Sequence, residues 1–279
     1  MRANPKEVAT RPDLGQVQSE FMGGISRNDL SKVPEVTLTF WVIKILATTL
    51  GETGGDAVSM SMNLGYALAS IIFVGIFGAA VAFQVAPKSF HPFRYWAVIV
   101  ATTTLGTTLA DFADRSLNIG YTGGSALLFI LLMASLAVWH RSVGSISVDT
   151  ITSPRVEMFY WGTILFSQTL GTALGDWVAD TNGLGYEGGA LIFSAGLALI
   201  AAGYLFSNVS HTLLFWAAFI LTRPLGATLG DLLDKPIDHG GFAFSRLHAS
   251  GILAIIMIAC ILFLPQKAGK HPGECQKAS

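Results

Sequence analysis

Residues 41–56 read WVIKILATTLGETGGD, which begins with a Trp, has a Gly ten residues later and ends in an Asp. A further Gly follows nine residues after that Asp, and the same spacing occurs three more times along the chain. The four copies are Trp41-Gly51-Asp56-Gly65, Trp96-Gly106-Asp111-Gly120, Trp161-Gly171-Asp176-Gly185 and Trp216-Gly226-Asp231-Gly240. The chain therefore carries four internal repeats, each with an acidic residue at the same position.

The composition of the 279 residues indicates an integral membrane protein. Of these residues 52% are hydrophobic and 13% charged, and the mean hydropathy is +0.55, whereas soluble domains are about a quarter charged. The net charge of −1 points to no nucleic-acid partner. The two cysteines, Cys260 and Cys275, form neither a disulfide framework nor a metal-spaced cluster. The first 35 residues lack the apolar core of a signal peptide.

Eight stretches are predicted to be transmembrane helices, because a helix needs roughly 20 apolar residues to cross a bilayer. They lie at about residues 36–56, 66–86, 93–112, 121–139, 156–177, 186–206, 212–232 and 242–264. Each repeat contributes two, so the chain returns to the same side every time and the repeats are parallel. We predict an all-α membrane protein with a transmembrane domain at 36–264, whose repeats span about 33–86, 90–139, 153–206 and 211–264.

Positive charge is unevenly distributed between the two sides of this domain. The termini and the loops between repeats hold twelve Lys and Arg residues, and the loops inside the repeats hold only Arg115 and Lys235. Loops rich in Lys and Arg stay in the cytosol. We therefore expect a polar cytosolic arm at residues 1–35, a cytosolic tail at 265–279 and the four Asp residues toward the outer face. Lys235 and Glu157 are interpreted as interfacial charges.

The Trp and the small residues of each repeat have structural interpretations. On a helix the Trp and the Asp lie about 22 Å apart along the axis, so the Trp falls at the opposite interface, where aromatic rings are favoured. We expect Trp41, Trp96, Trp161 and Trp216 to be interface anchors. The small-xxx-small pairs allow close approach of helix backbones in lipid. The predicted packing residues are Gly51, Gly55, Gly106, Ala110, Gly171, Gly175, Gly226 and Gly230.

The repeated Asp residues are the main functional candidates. A carboxylate within a bilayer is costly and usually faces a partner or a cavity. The candidate ligand set comprises Asp56, Asp111, Asp176, Asp231 and, one turn before the first of them, Glu52. Such a set of oxygen donors suits hard cations such as Mg²⁺, Ca²⁺ or Mn²⁺. The alternative is that interfacial water solvates the four Asp residues at the helix ends.

Further charged residues distinguish the copies from one another. The candidate proton or charge partners are Asp114, Asp180, Asp234, Lys44, Arg223 and Arg246. An intramembrane Lys or Arg needs an acidic partner. We expect Lys44 to pair with Glu52 or Asp56, and Arg223 or Arg246 to pair with Asp231. These pairs are either static salt bridges or fixed cations that displace a bound substrate or proton during transport.

The fourfold pattern resembles a family of bacterial integral membrane proteins with four tandem repeats. Each repeat of that family has two transmembrane segments and a Trp, here Trp41, Trp96, Trp161 and Trp216. The resemblance covers about residues 33–264 and implies a multi-pass protein of the bacterial inner membrane. Because the family is one of unknown function, it supplies no functional residues. The fourth copy departs from the others, with Gly241 in place of the Tyr at 66, 121 and 186.

Two classes of function follow from these residues. The first is a secondary transporter, predicted to export a divalent cation of the Mn²⁺ type in exchange for protons. The second is a non-transporting scaffold or assembly protein with a structural Asp–Arg network; a transporter of small organic cations would use the same carboxylates. The chain shows no hydrolase or metalloprotease signature, so we expect no enzyme and no cofactor. The expected partners are the lipid bilayer and a small cation, and a homo-oligomer is compatible with the sequence.

Overall fold

The computed structural model describes residues 31–87, 89–181 and 183–269. These residues form eight α-helices and no β-sheet, which confirms the all-α prediction. The helices are α1 (Leu38–Asp56), α2 (Gly65–Val85), α3 (Pro92–Asp111), α4 (Tyr121–Val143), α5 (Pro154–Asp176), α6 (Gly185–Phe206), α7 (His211–Asp234) and α8 (Arg246–Phe263). Five-residue π-helical turns continue α1, α3 and α5 at Ala57–Ser61, Phe112–Ser116 and Trp177–Thr181.

Local signals in the sequence set where the helices begin. Ser153 caps α5 by accepting a hydrogen bond from the backbone N–H of Val156, and Pro154 follows at the first helical position. The second Gly of each repeat pattern lies at the start of the second helix or in the turn before it, and it has a positive φ, a conformation that favours glycine. These φ values are 71° at Gly65, 77° at Gly120, 66° at Gly185 and 82° at Gly240. The fourth element of the repeat pattern is therefore a turn residue.

The first helices of the four repeats form a closed inner ring. Helices α1, α3, α5 and α7 each contact the next, and α7 contacts α1. The second helix of each repeat packs on the outside, against the first helix of the following repeat: α2 on α3, α4 on α5 and α6 on α7. Helix α8 completes the circle by packing on α1. The four repeats are thus related by an approximate fourfold arrangement around the ring.

The outer helices have the surface of a membrane protein. Apolar side chains such as Ile71, Phe83 and Leu199 lie 69%, 60% and 74% exposed on them. Six helices of the described part, α2, α3, α4, α6, α7 and α8, are long and apolar enough to cross a membrane. Helices α1 and α5 were expected to span as well but are less apolar, because their charged and hydroxyl side chains face the interior of the ring. The protein is accordingly a multi-pass membrane protein.

The first Gly of each repeat lies where two inner helices approach most closely. A Cβ at Gly106 would lie 2.9 Å from the backbone carbonyl carbon of Gln168, and a Cβ at Gly226 would lie 2.9 Å from that of Thr48. Each Gly faces the residue seven positions after the Trp of the next repeat. The four contacts are Gly51 with Thr103, Gly106 with Gln168, Gly171 with Arg223 and Gly226 with Thr48. The small-residue positions thus set the spacing of the ring.

An aromatic layer fills the end of the ring where the Trp residues lie, here called the Trp end. An aromatic residue precedes each Trp and stacks against the Trp of the next repeat. The ring centroids are 5.5 Å apart for Phe40–Trp96, 5.6 Å for Tyr95–Trp161, 6.4 Å for Tyr160–Trp216 and 5.9 Å for Phe215–Trp41. Burial of these large rings against one another is strongly favourable.

This layer corrects the expectation that the Trp residues anchor the lipid interface. Trp96, Trp161 and Trp216 are at most 3% exposed, and Trp41 is half-buried. Rings enclosed between helices do not lie among lipid headgroups. Their role in the structure is packing within the bundle.

The two ends of the described chain pair across the Trp end. Pro34 and Ala268 form an antiparallel bridge, and the Lys32 ammonium lies 2.6 Å from Glu157 Oε2. Glu157 is buried in this contact and is not an interfacial charge. Residues 31–35, assigned to the polar arm from the sequence, are thus part of the folded bundle. The remainder of the predicted arm and tail, residues 1–30 and 270–279, lies outside the described residues.

Candidate cation site

The four repeated Asp residues meet at the other end of the ring, here called the Asp end. Asp56, Asp111 and Asp176 are the last residues of α1, α3 and α5, and Asp231 lies in the last turn of α7. Asp56, Asp111, Asp176 and Asp231 are only 1–3% exposed. The glycine contacts draw the inner helices together and thereby enclose the carboxylates. Solvation of these groups by interfacial water, the alternative considered from the sequence, is inconsistent with this burial.

Two basic side chains divide the four Asp residues into two pairs. Lys235 Nζ lies 2.6 Å from Asp56 Oδ2 and 2.9 Å from Asp231 Oδ1. Arg115 lies 3.1 Å from Asp111 Oδ1 through Nε and 3.4 Å from Asp176 Oδ2 through Nη2. The first and fourth repeats therefore share one cation, and the second and third share another.

Neither basic residue is a predicted member of the site. Lys235 and Arg115 follow the predicted spans, so the sequence indicates loop charges at both positions. Each comes four residues after its Asp, and in the second repeat the π-helical turn Phe112–Ser116 continues the helix. This turn places the Arg115 side chain next to the Asp111 carboxylate. The spacing of four was the available signal, since residues four apart lie on one face of a helix.

The second acids of the repeats have different environments. Asp234 is buried, and Arg246 Nε lies 3.3 Å from its Oδ2 and 3.7 Å from Asp56 Oδ2. Asp114 is buried against Gly124, and neither of its oxygens has a hydrogen-bond partner among the described residues. Asp180 is exposed and accepts a hydrogen bond of 3.5 Å from the Tyr121 hydroxyl. Only Asp234 joins the repeated Asp residues closely.

Three carboxylates of the first and fourth repeats are close enough to share one ion. Asp56, Asp231 and Asp234 each offer an oxygen, and these oxygens lie within 4.8 Å of one another. Buried oxygens here without a hydrogen bond in the described part of the chain include Asp56 Oδ1 and Asp234 Oδ1. Because all the donors are carboxylate oxygens, the set matches the preference of hard divalent cations.

Lys235 is held in its charged form by this cluster. Burial alone lowers the pKa of its ammonium, but the carboxylates of Asp231, Asp56 and Asp234 outweigh burial and raise the pKa well above the usual lysine value. The ammonium therefore acts as a counter-ion for the first and fourth repeats.

Arg223 and Glu52 form a separate ion pair deeper in the ring. Arg223 Nη2 lies 2.9 Å from Glu52 Oε2 and donates to the hydroxyls of Thr107 and Thr172 over 2.6 and 2.5 Å. Arg223 is fully buried, and Glu52 is 2% exposed. The expected pairing of Arg223 with Asp231 is wrong, because the Arg223 side chain passes over Gly171 toward Glu52 of α1. Glu52 therefore pairs with Arg223 and is not one of the carboxylates that meet at the Asp end.

The remaining two predicted cations also differ from expectation. Lys44 is fully buried but pairs with neither Glu52 nor Asp56; its ammonium lies 4.0 Å from the centre of the Phe219 ring and 3.5 Å from the Thr222 hydroxyl. Arg246 pairs with Asp234 and Asp56 rather than with Asp231. In the described part of the chain, ten carboxylates lie at or just below the Asp end, Glu52, Glu187 and Asp238 included, against four Lys and Arg side chains, so negative charge is in excess.

Comparison with known families gives a match along most of the chain. A family described as Repeat of Unknown Function (DUF347) matches residues 39–90, 94–145, 159–210 and 214–265. These four ranges contain each Trp, Gly and Asp of the repeat pattern, most of each inner helix and the whole of each outer helix. Searches of curated proteins and of solved structures gave no match. With four matched repeats covering most of its length, the chain belongs to the DUF347 repeat family.

Proposed function

We propose that this protein is a secondary transporter for a hard divalent cation, of which Mn²⁺ is representative, with its binding site at the Asp end. The observation that carries the proposal is the buried triad Asp56, Asp231 and Asp234, whose oxygens lie within 4.8 Å of one another. Ionisable residues within a membrane protein usually mark an ion or proton pathway. Carboxylates also bind protons, so protons compete with the metal for the same oxygens.

The arrangement of the inner ring supports a transmembrane path along its axis. Helices α1 and α5 run parallel to α3 and α7 in one ring, and we propose that all eight helices cross the membrane. The excess of Lys and Arg at the termini and between the repeats then places the Trp end in the cytosol and the Asp end outside. The resemblance to bacterial proteins favours the bacterial inner membrane.

Three layers would have to open for an ion to pass between the two ends. Counting back along α1 from Asp56, the first is Glu52 with its partner Arg223, and the second is Lys44 over Phe219. The third is the aromatic layer at the Trp end, covered by the paired segments 31–35 and 267–269. The described conformation is closed toward the Trp end, and the carboxylates are buried at the Asp end as well, so a transport cycle requires each end to open in turn. For an exporter, the Asp end is the site of release.

Substitution of the triad tests this proposal. Asp56→Asn and Asp231→Asn are expected to abolish proton-driven ⁵⁴Mn²⁺ uptake into inverted vesicles, because each removes a charged ligand from the buried site. Asp180→Asn removes an exposed carboxylate at the same end and is the matched control, expected to keep most of the flux. Unchanged flux and unchanged pH dependence in both triad variants would rule out the carboxylates as the transport site.

A second candidate function is a non-transporting scaffold. It is favoured by the fact that each repeated Asp already lies within 3.4 Å of a basic side chain. A scaffold predicts that Asp56→Asn combined with Lys235→Gln recovers wild-type stability, and that no ion raises the melting temperature. A thermal-shift series with Mn²⁺ and with spermidine separates three cases, since a ligand that binds the folded state raises its stability. Stabilisation by spermidine alone would identify an organic cation as the substrate.

A further inference from the structure

We propose that Lys235 is a tethered counter-ion that occupies the cation site when it is empty and swings out when substrate binds. This proposal rests on the proposed function and specifies how its site is regulated. The Lys235 ammonium lies between the carboxylates of Asp56 and Asp231, at 2.6 and 2.9 Å. These are two of the three carboxylates able to share a metal ion. A metal and the ammonium therefore compete for the same carboxylates.

The fourth repeat lacks one of the two tyrosines that hold the equivalent basic residue of the second repeat. The second repeat has Arg115 at the same position, where Nη1 donates to Tyr66 over 3.1 Å and Nε donates to Tyr121 over 3.2 Å. In the fourth repeat, Gly241 replaces the equivalent of Tyr121. Tyr186, the counterpart of Tyr66, interacts electrostatically with Lys235. Among the described residues, however, the close contacts of the Lys235 ammonium are with the carboxylates of Asp56 and Asp231.

Gly241 also leaves space for the base of the lysine side chain. A Cβ at Gly241 would lie 2.9 Å from Lys235 Cβ and would collide with the Lys235 carbonyl group. The backbone around Lys235 is fixed, since its N–H donates to the Asp231 carbonyl over 2.9 Å and its carbonyl accepts from Ala243 over 2.9 Å. With the backbone held and the side chain 10% exposed, the movement is confined to the side-chain torsions. The departure of the fourth repeat from the Tyr pattern thus has a physical consequence.

The two basic residues therefore have different roles in this account. Arg115 is a static clamp, because its guanidinium is fixed by two hydroxyls and two carboxylates. Lys235 is a displaceable counter-ion. Its ammonium carries one positive charge, and a divalent cation carries two, so the cation can replace it between the carboxylates. A tethered ion also keeps the buried carboxylates compensated when no substrate is present, which limits the cost of unpaired charge in the membrane.

Mn²⁺ titration of purified protein by calorimetry tests the proposal. Lys235→Gln removes the competitor and is expected to raise the affinity at least about tenfold. Arg115→Gln removes an equal charge at the same end and is expected to raise the affinity much less, so it measures the general electrostatic effect. Arg155→Gln, an exposed residue at the Trp end, is expected to change nothing. Lys235→Arg is expected to weaken binding, because a guanidinium pairs more tightly with carboxylates, and it serves if Lys235→Gln does not fold.

A labelling experiment follows the displacement in the wild-type protein. Addition of Mn²⁺ is expected to speed acylation of Lys235 by an amine reagent, whereas acylation of the exposed Lys267 stays constant. If wild type binds Mn²⁺ but Lys235→Gln gains no more affinity than Arg115→Gln, or labelling does not increase, the counter-ion proposal is overturned and the proposed function stands. If neither wild type nor Lys235→Gln binds Mn²⁺, the proposed function itself fails.

Discussion

Replacement of Arg223 by Met is expected to lower the free energy of unfolding by about 3–5 kcal/mol, the range seen when one partner of a buried ion pair is removed. The change leaves the carboxyl group of Glu52, which is 2% exposed, without its cation in the middle of the ring. It also removes the donor shared by Thr107 and Thr172, so contacts among all four inner helices weaken together. The midpoint of SDS-induced unfolding in detergent micelles measures the loss.

Two further variants separate this effect from a general loss of charge. Arg155→Gln removes an exposed charge and is expected to change the free energy of unfolding by no more than about 0.5 kcal/mol. The double variant Glu52→Leu with Arg223→Met replaces the ion pair by apolar groups and is expected to recover most of the lost stability. A double variant as unstable as Arg223→Met alone would contradict the assignment of Glu52 as the partner.

Replacement of Gly106 by Ala is expected to disrupt the inner ring. The new Cβ would lie 2.9 Å from both the Gln168 carbonyl carbon and the Thr169 nitrogen, which are backbone atoms that cannot rotate away. Overpacking of this kind costs about 1–3 kcal/mol. Separation of α3 from α5 would also move Asp111 away from Asp176, so the pairing through Arg115 weakens as well. Unfolding in micelles again supplies the measurement.

Gly54→Ala is the matched control for this prediction. Gly54 also lies inside an inner helix, but a Cβ there would have no neighbour within 4 Å. Since Ala favours a helix by about 1 kcal/mol over Gly, this variant is expected to be neutral or more stable. Equal destabilisation by Gly106→Ala and Gly54→Ala would show that helix flexibility, rather than close backbone approach, explains the glycines.

The parts of the structure that could be predicted from the sequence are those determined within one repeat. The spacing from Trp41 to Asp56 predicts a helix, and the same spacing in three further copies predicts three equivalent helices. Gly51 and Gly55 form a small-xxx-small pair, and such a pair indicates a face where another helix can approach closely. Such patterns are local, so they survive in every copy and can be read without knowledge of the fold.

The parts that could not be predicted depend on which repeat faces which. The partner of Arg223 is Glu52 on the helix that closes the ring, and no spacing along the chain indicates that contact. Trp96 is buried because Phe40 of the preceding repeat packs against it. That pair becomes visible only when the order of the helices around the ring is known. The role of Lys235 could not be predicted, because a membrane span is recognised by its apolar residues and these end just before the site.

The central claim, that the Asp end binds a divalent cation, is tested most directly by calorimetric titration of the purified protein with Mn²⁺ at several pH values. The account predicts saturable binding that weakens as the pH falls and releases protons, because protons and metal compete for the same carboxylates. It also predicts that Asp56→Asn and Asp231→Asn lose this binding while they remain folded. The absence of Mn²⁺ binding to the folded wild-type protein, or binding that both variants retain, would contradict it.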